Sequence, residues 1–206
     1  MLGLFAKKVG MTQVFDEAGN MVPVTVMRID PNVVVAQKTE EKDGYKAVVI
    51  GVDDAKKNRI TKPYAGQFPE NIVPKKHLKE LRDFEKEVAV GDKLGIEVLE
   101  GIRYVDVSGI SKGKGFQGVV KRYGFGGGRK THGSKFHREP GSTGQSTYPH
   151  KSFKNVKLPG RMGRENVTVL SQRVVRMDTE KQLILIKGAV PGINKGLVLV
   201  RAAVKR

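Results

Sequence analysis

Two glycine-rich stretches of this chain have the composition of phosphate cradles. Gly113-Lys114-Gly115-Phe116-Gln117-Gly118 satisfies G-x-G-x-x-G, and GFGGGRKT (Gly124 to Thr131) approaches G-x-x-x-x-G-K-[ST], with Arg129 where the second glycine belongs. The first pattern grips a dinucleotide when a strand precedes it, a helix follows, and a second parallel strand ends near an acid. YVDVSGI and FQGVVKRYG could supply that strand and helix, but the next residues, GFGGGRKTHGSKFHREPGSTG, contain no apolar run. Glu139, the acid at a suitable distance, is embedded in basic residues and followed by Pro140. The second pattern fails at Arg129, which puts a Cβ and a long side chain where the backbone must close around a phosphate. No strand precedes Gly124, and no acid-ending apolar strand follows it.

Metal and hydrolytic chemistry fare no better. His132, His137, Glu139 and His150 lack i, i+4 spacing, and neither a cysteine nor a paired carboxylate completes a ligand set. Ser134, Ser142, Ser146 and Ser152 have no local carboxylate to orient a histidine. These residues call for no metal, no cofactor and no catalytic group.

Charge accounts for the whole segment. Residues 111–163 carry twelve Lys and Arg against one acid, Glu139, and hold 12 of the 25 glycines and six of the 13 aromatic residues. The full chain of 206 residues has a formal charge of +17 and a pI near 10.0. Such an excess favours a polyanionic partner, nucleic acid first. The phosphate-neutralising candidates are Lys112, Lys114, Lys121, Arg122, Arg129, Lys130, Lys135, Arg138, Lys151, Lys154, Lys157 and Arg161, with His132 and His137 beside them. Phe116, Tyr123, Phe125, Phe136, Tyr148 and Phe153, interleaved with those cations, offer stacking faces for unpaired bases. Glycines let the backbone approach a ribose-phosphate surface, and Pro140, Pro149 and Pro159 keep a coreless strand extended. About a fifth of the segment is apolar. That is too little to order it alone when each residue costs about 1–2 kcal/mol, so RNA is the expected ordering partner.

The flanking elements must position this segment, and they read as strands. MTQVF and MVPVTVMRI surround a Gly-Asn turn, and VVVAQK and YKAVVIGV surround Asp43-Gly44, both hairpin patterns. In residues 74–87, PKKHLKELRDFEKE, Leu78, Leu81 and Phe84 recur every third residue behind Pro74, which predicts a helix. VAVGDKLGIEVL and RYVDVSGI return to strand, VTVLSQRVVRMD and QLILIKGAV form another hairpin, and GLVLVRAAV ends the series. Short strands between turns argue a mainly β, antiparallel barrel or sandwich. The expected organisation is a globular barrel domain, residues 1–108 plus 164–206, interrupted by an extended insertion, residues 109–163. Cysteine is absent, which fits a reducing compartment. MLGLFAKKVG has too short an apolar start for a signal peptide, and no run approaches the roughly 18 apolar residues of a membrane span. The expectation is a cytoplasmic protein with no membrane partner.

With these residues assembled, the sequence resembles the L three family of bacterial large-subunit ribosomal proteins. The junction pattern L-x6-D-x2-G-x-S-x-G-K-G-x2-G-x3-R is carried by Leu99, Asp106, Gly109, Ser111, Gly113, Lys114, Gly115, Gly118 and Arg122. The opening GLFAKKVGMTQVF, the stretch HREPGSTGQ and the close IKGAVPGINKGLVLVR are similar as well, so the resemblance spans essentially the full length. It implies a translation-factor-type antiparallel β-barrel whose long basic loop threads through large-subunit ribosomal RNA toward the peptidyl transferase centre. It also implies a role in early subunit assembly and translation, with ribosomal proteins fourteen and nineteen as neighbours. Gln145 matches a glutamine that a methyltransferase N5-methylates in some relatives. The sequence departs from the family at His150 and Asn155, where relatives often have glycine, and at Leu158-Pro159-Gly160, where they often have Met-Ala-Gly. The reading is a non-enzymatic, RNA-binding structural protein. Its rivals are a nucleotide-dependent enzyme built on Gly113–Gly118 and a basic assembly chaperone that leaves before the ribosome is complete.

Overall fold

The computed structural model describes residues 2–205, which divide into two compact units. One joins the residues up to Ile110 with those from Asn166 onward, and the other is Ser111–Glu165. In the first unit, β1 (Gly3–Phe15) and β2 (Met21–Arg28) form the opening hairpin. Its turn closes because the Asn20 amide donates to Asp16 Oδ1 at 2.8 Å, and Gly19 supplies the positive φ of 78°. The backbone amide of Asn20 holds the Asp16 carboxyl below its ordinary value. Next come β3 (Asn32–Lys38), the single turn α1 (Glu40–Asp43) and β4 (Ala47–Asp54), with Gly44 turning the chain at φ 79°. The turn α2 (Lys62–Ala65), β5 (Lys75–Arg82), β6 (Lys93–Leu94) and β7 (Tyr104–Ile110) complete this half.

In Ser111–Glu165 lie β8 (Gly115–Gln117), α3 (Val119–Tyr123) and β9 (Gly160–Met162). After it the chain forms β10 (Asn166–Asp178), β11 (Leu183–Lys187) and β12 (Leu197–Ala202). Six strands close a barrel in the order β1-β12-β7-β10-β11-β2, every pair antiparallel. Closure removes the sheet edge. Period-two alternation sends Val24, Val105, Val107, Ile184, Ile186, Val198 and Val200 into the interior. The protein is mainly β, as expected, but the strands between residues 32 and 94 stay outside the barrel. They form a second antiparallel sheet in the order β5-β4-β3-β6.

The helix expected over residues 74–87 is not formed, since Lys75–Arg82 is a strand paired to β4 along its length. Leu78 and Leu81, three apart, would share one face of a helix but point to opposite faces of a strand. The two faces serve different cores. Leu81 belongs to the main cluster, whereas Leu78 packs against a smaller one made by Val35, Phe68 and Ile72. The three-residue spacing therefore records two cores and no amphipathic stripe. The lysine-rich composition suits an edge strand, because charge there discourages pairing with other chains.

Buried polar groups lock the barrel's irregular points. Asn32, fully buried, accepts from the Phe5 amide at 2.9 Å and donates to the Phe5 carbonyl at 3.1 Å, which substitutes for a neighbouring strand. Lys8 lies beside a register shift in β1, and its ammonium donates to the Val190 carbonyl at 3.0 Å. In β10 the register shifts between Val169 and Gln172, and buried Asp106 accepts the freed Ser171 amide at 2.7 Å. No helix of the described residues is long and apolar enough to cross a membrane.

Candidate nucleic-acid interface

The basic insertion, Ser111–Glu165, is fastened at its ends by its own backbone. The Ser111 amide donates to the Glu165 carbonyl at 2.9 Å, and the Glu165 amide donates back to Ser111 Oγ at 3.2 Å. Strands β8 and β9 pair next, with the Lys114 amide reaching the Met162 carbonyl at 2.9 Å. Gly163 turns the returning chain at φ 74°, so close to the Lys112 carbonyl that a Cβ would overlap it. Helix α3 buries Val119 alone and stops at Gly124, whose φ of 73° suits a left-handed C-cap. The G-x-G-x-x-G pattern thus occupies a strand and a helix start, but the helix has five residues and no parallel strand follows.

The glycines of GFGGGRKT have a second use besides approach to a ligand. The Gly128 amide donates to the His137 carbonyl at 3.2 Å, bringing two stretches of the insertion together. A Cβ on Gly127 would overlap the His137 carbonyl, and one on Gly128 would overlap the carbonyl and ring of Phe136. Here bare backbone packs against bare backbone within the chain. Further along, Ser142 Oγ donates to the Gly144 carbonyl at 2.9 Å, and Ser152 Oγ to the Thr143 carbonyl at 3.3 Å. The Tyr148–Pro149 peptide bond is cis. His150 and Asn155 adopt φ of 59° and 66°, the left-handed region that glycine occupies at least cost.

Of the fourteen candidate phosphate-binding residues, all except Arg122 are exposed. Arg122 is half-buried, donates from Nη1 to the Leu158 carbonyl at 2.7 Å and lies 4.9 Å from the Tyr123 ring centroid. It ties the outgoing and returning chains together. Its side chain also fills the space above Gly160, where a Cβ would meet Nη1 at 2.6 Å. Among the aromatic candidates, Tyr148 and Phe116 are 86% and 77% exposed. Phe153 is exposed, Tyr123 and Phe136 partly so, and Phe125 is half-buried with its ring centroid 6.3 Å from that of Tyr123. Gln145 is exposed.

Among the described residues, the ion pairs found all lie in the first unit, for example Lys7–Asp30 at 2.9 Å and Arg28–Asp30 at 2.9 Å. The insertion's cations have no such carboxylate partners. His132, His137 and Glu139 are exposed, and among the described residues no group of three or more His, Cys, Asp and Glu could hold a metal ion. The sequence boundary at residue 163 left out Arg164 and Glu165. Arg164, exposed and at φ 56°, lines a small cleft with Arg161, Gly163 and Glu165. The second arginine of Arg161-Met162-Gly163-Arg164 is the signal the sequence offers.

A closed antiparallel barrel interrupted by a separate glycine-rich unit with exposed, unpaired cations defines a class: β-barrel proteins bearing a polycationic insertion. Comparison with known proteins narrows it. The family described as "Ribosomal protein L3" matches residues 78–183. The chain is 56% identical over 206 residues to "Large ribosomal subunit protein uL3" of Treponema denticola, covering 100% of this chain and 99% of that one. It is 57% identical to the protein of that name from Treponema pallidum, again covering 100% and 99%. To that of Borrelia hermsii it is 49% identical over 207 residues, with the same coverage. The chain belongs to the ribosomal protein L3 family.

Proposed function

We propose that the protein is a structural constituent of the large ribosomal subunit, bound to large-subunit ribosomal RNA in the cytoplasm. The observation that carries this is the insertion itself: eleven exposed Lys and Arg without carboxylate partners among the described residues, on a backbone that glycine keeps slender. Each lysine or arginine that meets a phosphate releases a counterion. The exposed rings of Phe116, Tyr148 and Phe153 stack on unpaired bases, which is how proteins commonly read irregular RNA. The partner groups are RNA phosphates and base faces, and the role is to hold RNA geometry. No bond is made or broken.

Three finer assignments follow from the family resemblance. The insertion reaches toward the peptidyl transferase centre; the protein joins early in subunit assembly beside ribosomal proteins fourteen and nineteen; and Gln145 is a substrate for a glutamine methyltransferase. The exposure of Gln145 supports the last. The test is deletion of residues 124–160 from the full chain. The barrel is expected to stay folded by circular dichroism while affinity for large-subunit RNA falls steeply and the salt dependence flattens, by somewhat under one unit of log–log slope per lost contact. Unchanged affinity at physiological salt refutes the assignment to the insertion. Co-sedimentation with large subunits after a high-salt wash separates a resident protein from a departing assembly factor.

A further inference from the structure

A cleft of about 370 Å³ on the outer wall of the barrel takes no part in the insertion's chemistry. Barrel alternation sends Val198 and Val200 into the barrel and turns Leu197, Leu199 and Arg201 to its outer face, where Leu199 is still buried by packing outside the barrel. Antiparallel register sets Thr168 of β10, Ser108 of β7 and Leu199 of β12 in one row across the wall. The two hydroxyls of that row lie 2.8 Å apart. His77 and Lys79 of β5 line the same cleft, and no carboxylate does.

Arg201 is the unusual member. Its Nε is buried and finds no hydrogen-bond acceptor among the described residues, although buried donors are nearly always paired. Its stem is fixed by packing across Gly3, where a Cβ would meet Arg201 Cγ at 2.9 Å. Asp106, opposite Arg201 in register, accepts the Ser171 amide on Oδ1. Burial pushes the His77 imidazole below its ordinary value, which favours the neutral ring with one donor and one acceptor.

We propose that this cleft binds a phosphate group, with Arg201 and Lys79 neutralising its charge and the Ser108–Thr168 hydroxyl pair donating its one free proton to a phosphate oxygen. A guanidinium, an ammonium, the one free proton of the hydroxyl pair and the Asn166 amide are more donors than the two oxygens of a carboxylate use, and they match a tetrahedral oxyanion. Leu197, Leu199 and Ile110 add an apolar floor for the sugar or base attached to a phosphodiester. The phosphate has two possible sources, an RNA backbone or a free inorganic anion. All lining residues belong to the first unit, so the proposal stands independently of the reading of the insertion.

The experiment uses the full chain and follows the His77 imidazole proton by NMR, assigned with His77→Gln. Inorganic phosphate, a uridine tetranucleotide without terminal phosphates, and acetate are titrated separately at matched ionic strength. Phosphate is expected to shift the resonance saturably, and Arg201→Gln and Lys79→Gln each to weaken that binding about tenfold. Lys79 is exposed on an edge strand, so its variant keeps the test valid if Arg201→Gln fails to fold. Arg129→Gln is expected to leave the shift unchanged, whereas failure of the insertion to bind RNA would leave this result untouched. Tighter binding of the tetranucleotide than of phosphate assigns the RNA backbone as the source, and the reverse assigns the free anion. Absence of a saturable shift, wild-type affinity in both variants, or acetate binding as well as phosphate overturns the proposal.

Discussion

Arg129 breaks the nucleotide-loop pattern, and the neighbouring glycines explain what replaced it. Gly127 and Gly128 lie against the carbonyls of His137 and Phe136, so their missing side chains allow the insertion to fold back on itself. This gives a sharp pair of substitutions. Gly128→Ala would push a methyl into backbone that cannot yield, opening the contact between the two stretches. Gly126 has open space around the same position and ordinary backbone, so Gly126→Ala is the matched control. Gly128→Ala is expected to weaken RNA binding about tenfold, or about 1.4 kcal/mol. The barrel's thermal midpoint should not move in either variant. A similar loss in Gly126→Ala would show that the effect is one of chain flexibility and not of contact.

Strand β5 shows how an element takes its identity from its neighbours. KKHLKELR has the spacing of a short amphipathic helix, yet the free edge of β4 and the presence of two separate cores make it a strand. Leu81, 3% exposed, fills the main core, whereas Leu78 is half-buried against the smaller one. Leu81→Ala should cost about 2–5 kcal/mol in urea unfolding, and Leu78→Ala about 1 kcal/mol. Equal costs would mean that both leucines share one buried stripe, as in a helix. The hairpin β1–β2 was legible in advance because its turn is local: Asp16, Gly19 and Asn20 close it by themselves.

For the molecule as a whole, acid is the weak side. The Asp30 carboxyl is pushed up by burial, but Lys7 and Arg28 outweigh this and hold it below its ordinary value. Its contribution is present above the unfolded carboxylate value and is lost as pH falls through the lower folded one. Burial, then the nearby Lys76 charge, depresses His77 below its ordinary value of 6.5. The unfolded chain therefore takes up that proton first, and stability declines as pH drops below 6.5. Lys7 works at the other extreme. Hydrogen bonds to Asp53 and Asp30 raise it, so its contribution is complete below the ordinary lysine value and is lost as pH rises through the higher folded one. Chemical unfolding above and below the ordinary imidazole value should show a loss in the wild-type protein that shrinks in His77→Gln. An identical loss in the variant would move the effect to the carboxylates.

Composition and spacing alone determined the charge imbalance of the insertion, its dearth of apolar residues, the turn-closed hairpins and the mainly β class. Those properties are additive or local, so they survive in a linear string. The same string placed Arg122 among eleven Lys and Arg that are exposed, and its environment differs only because Leu158 lies beside it after the chain returns. Tertiary structure alone decided that six strands close while four others form a second sheet, since closure depends on registers between distant segments. It decided that Leu78 and Leu81 serve different cores. It also brought His77, Lys79, Ser108, Thr168 and Arg201, spread over more than half the chain, to one cleft. No local pattern marks such a set, because the physics that joins them is the pairing of strands.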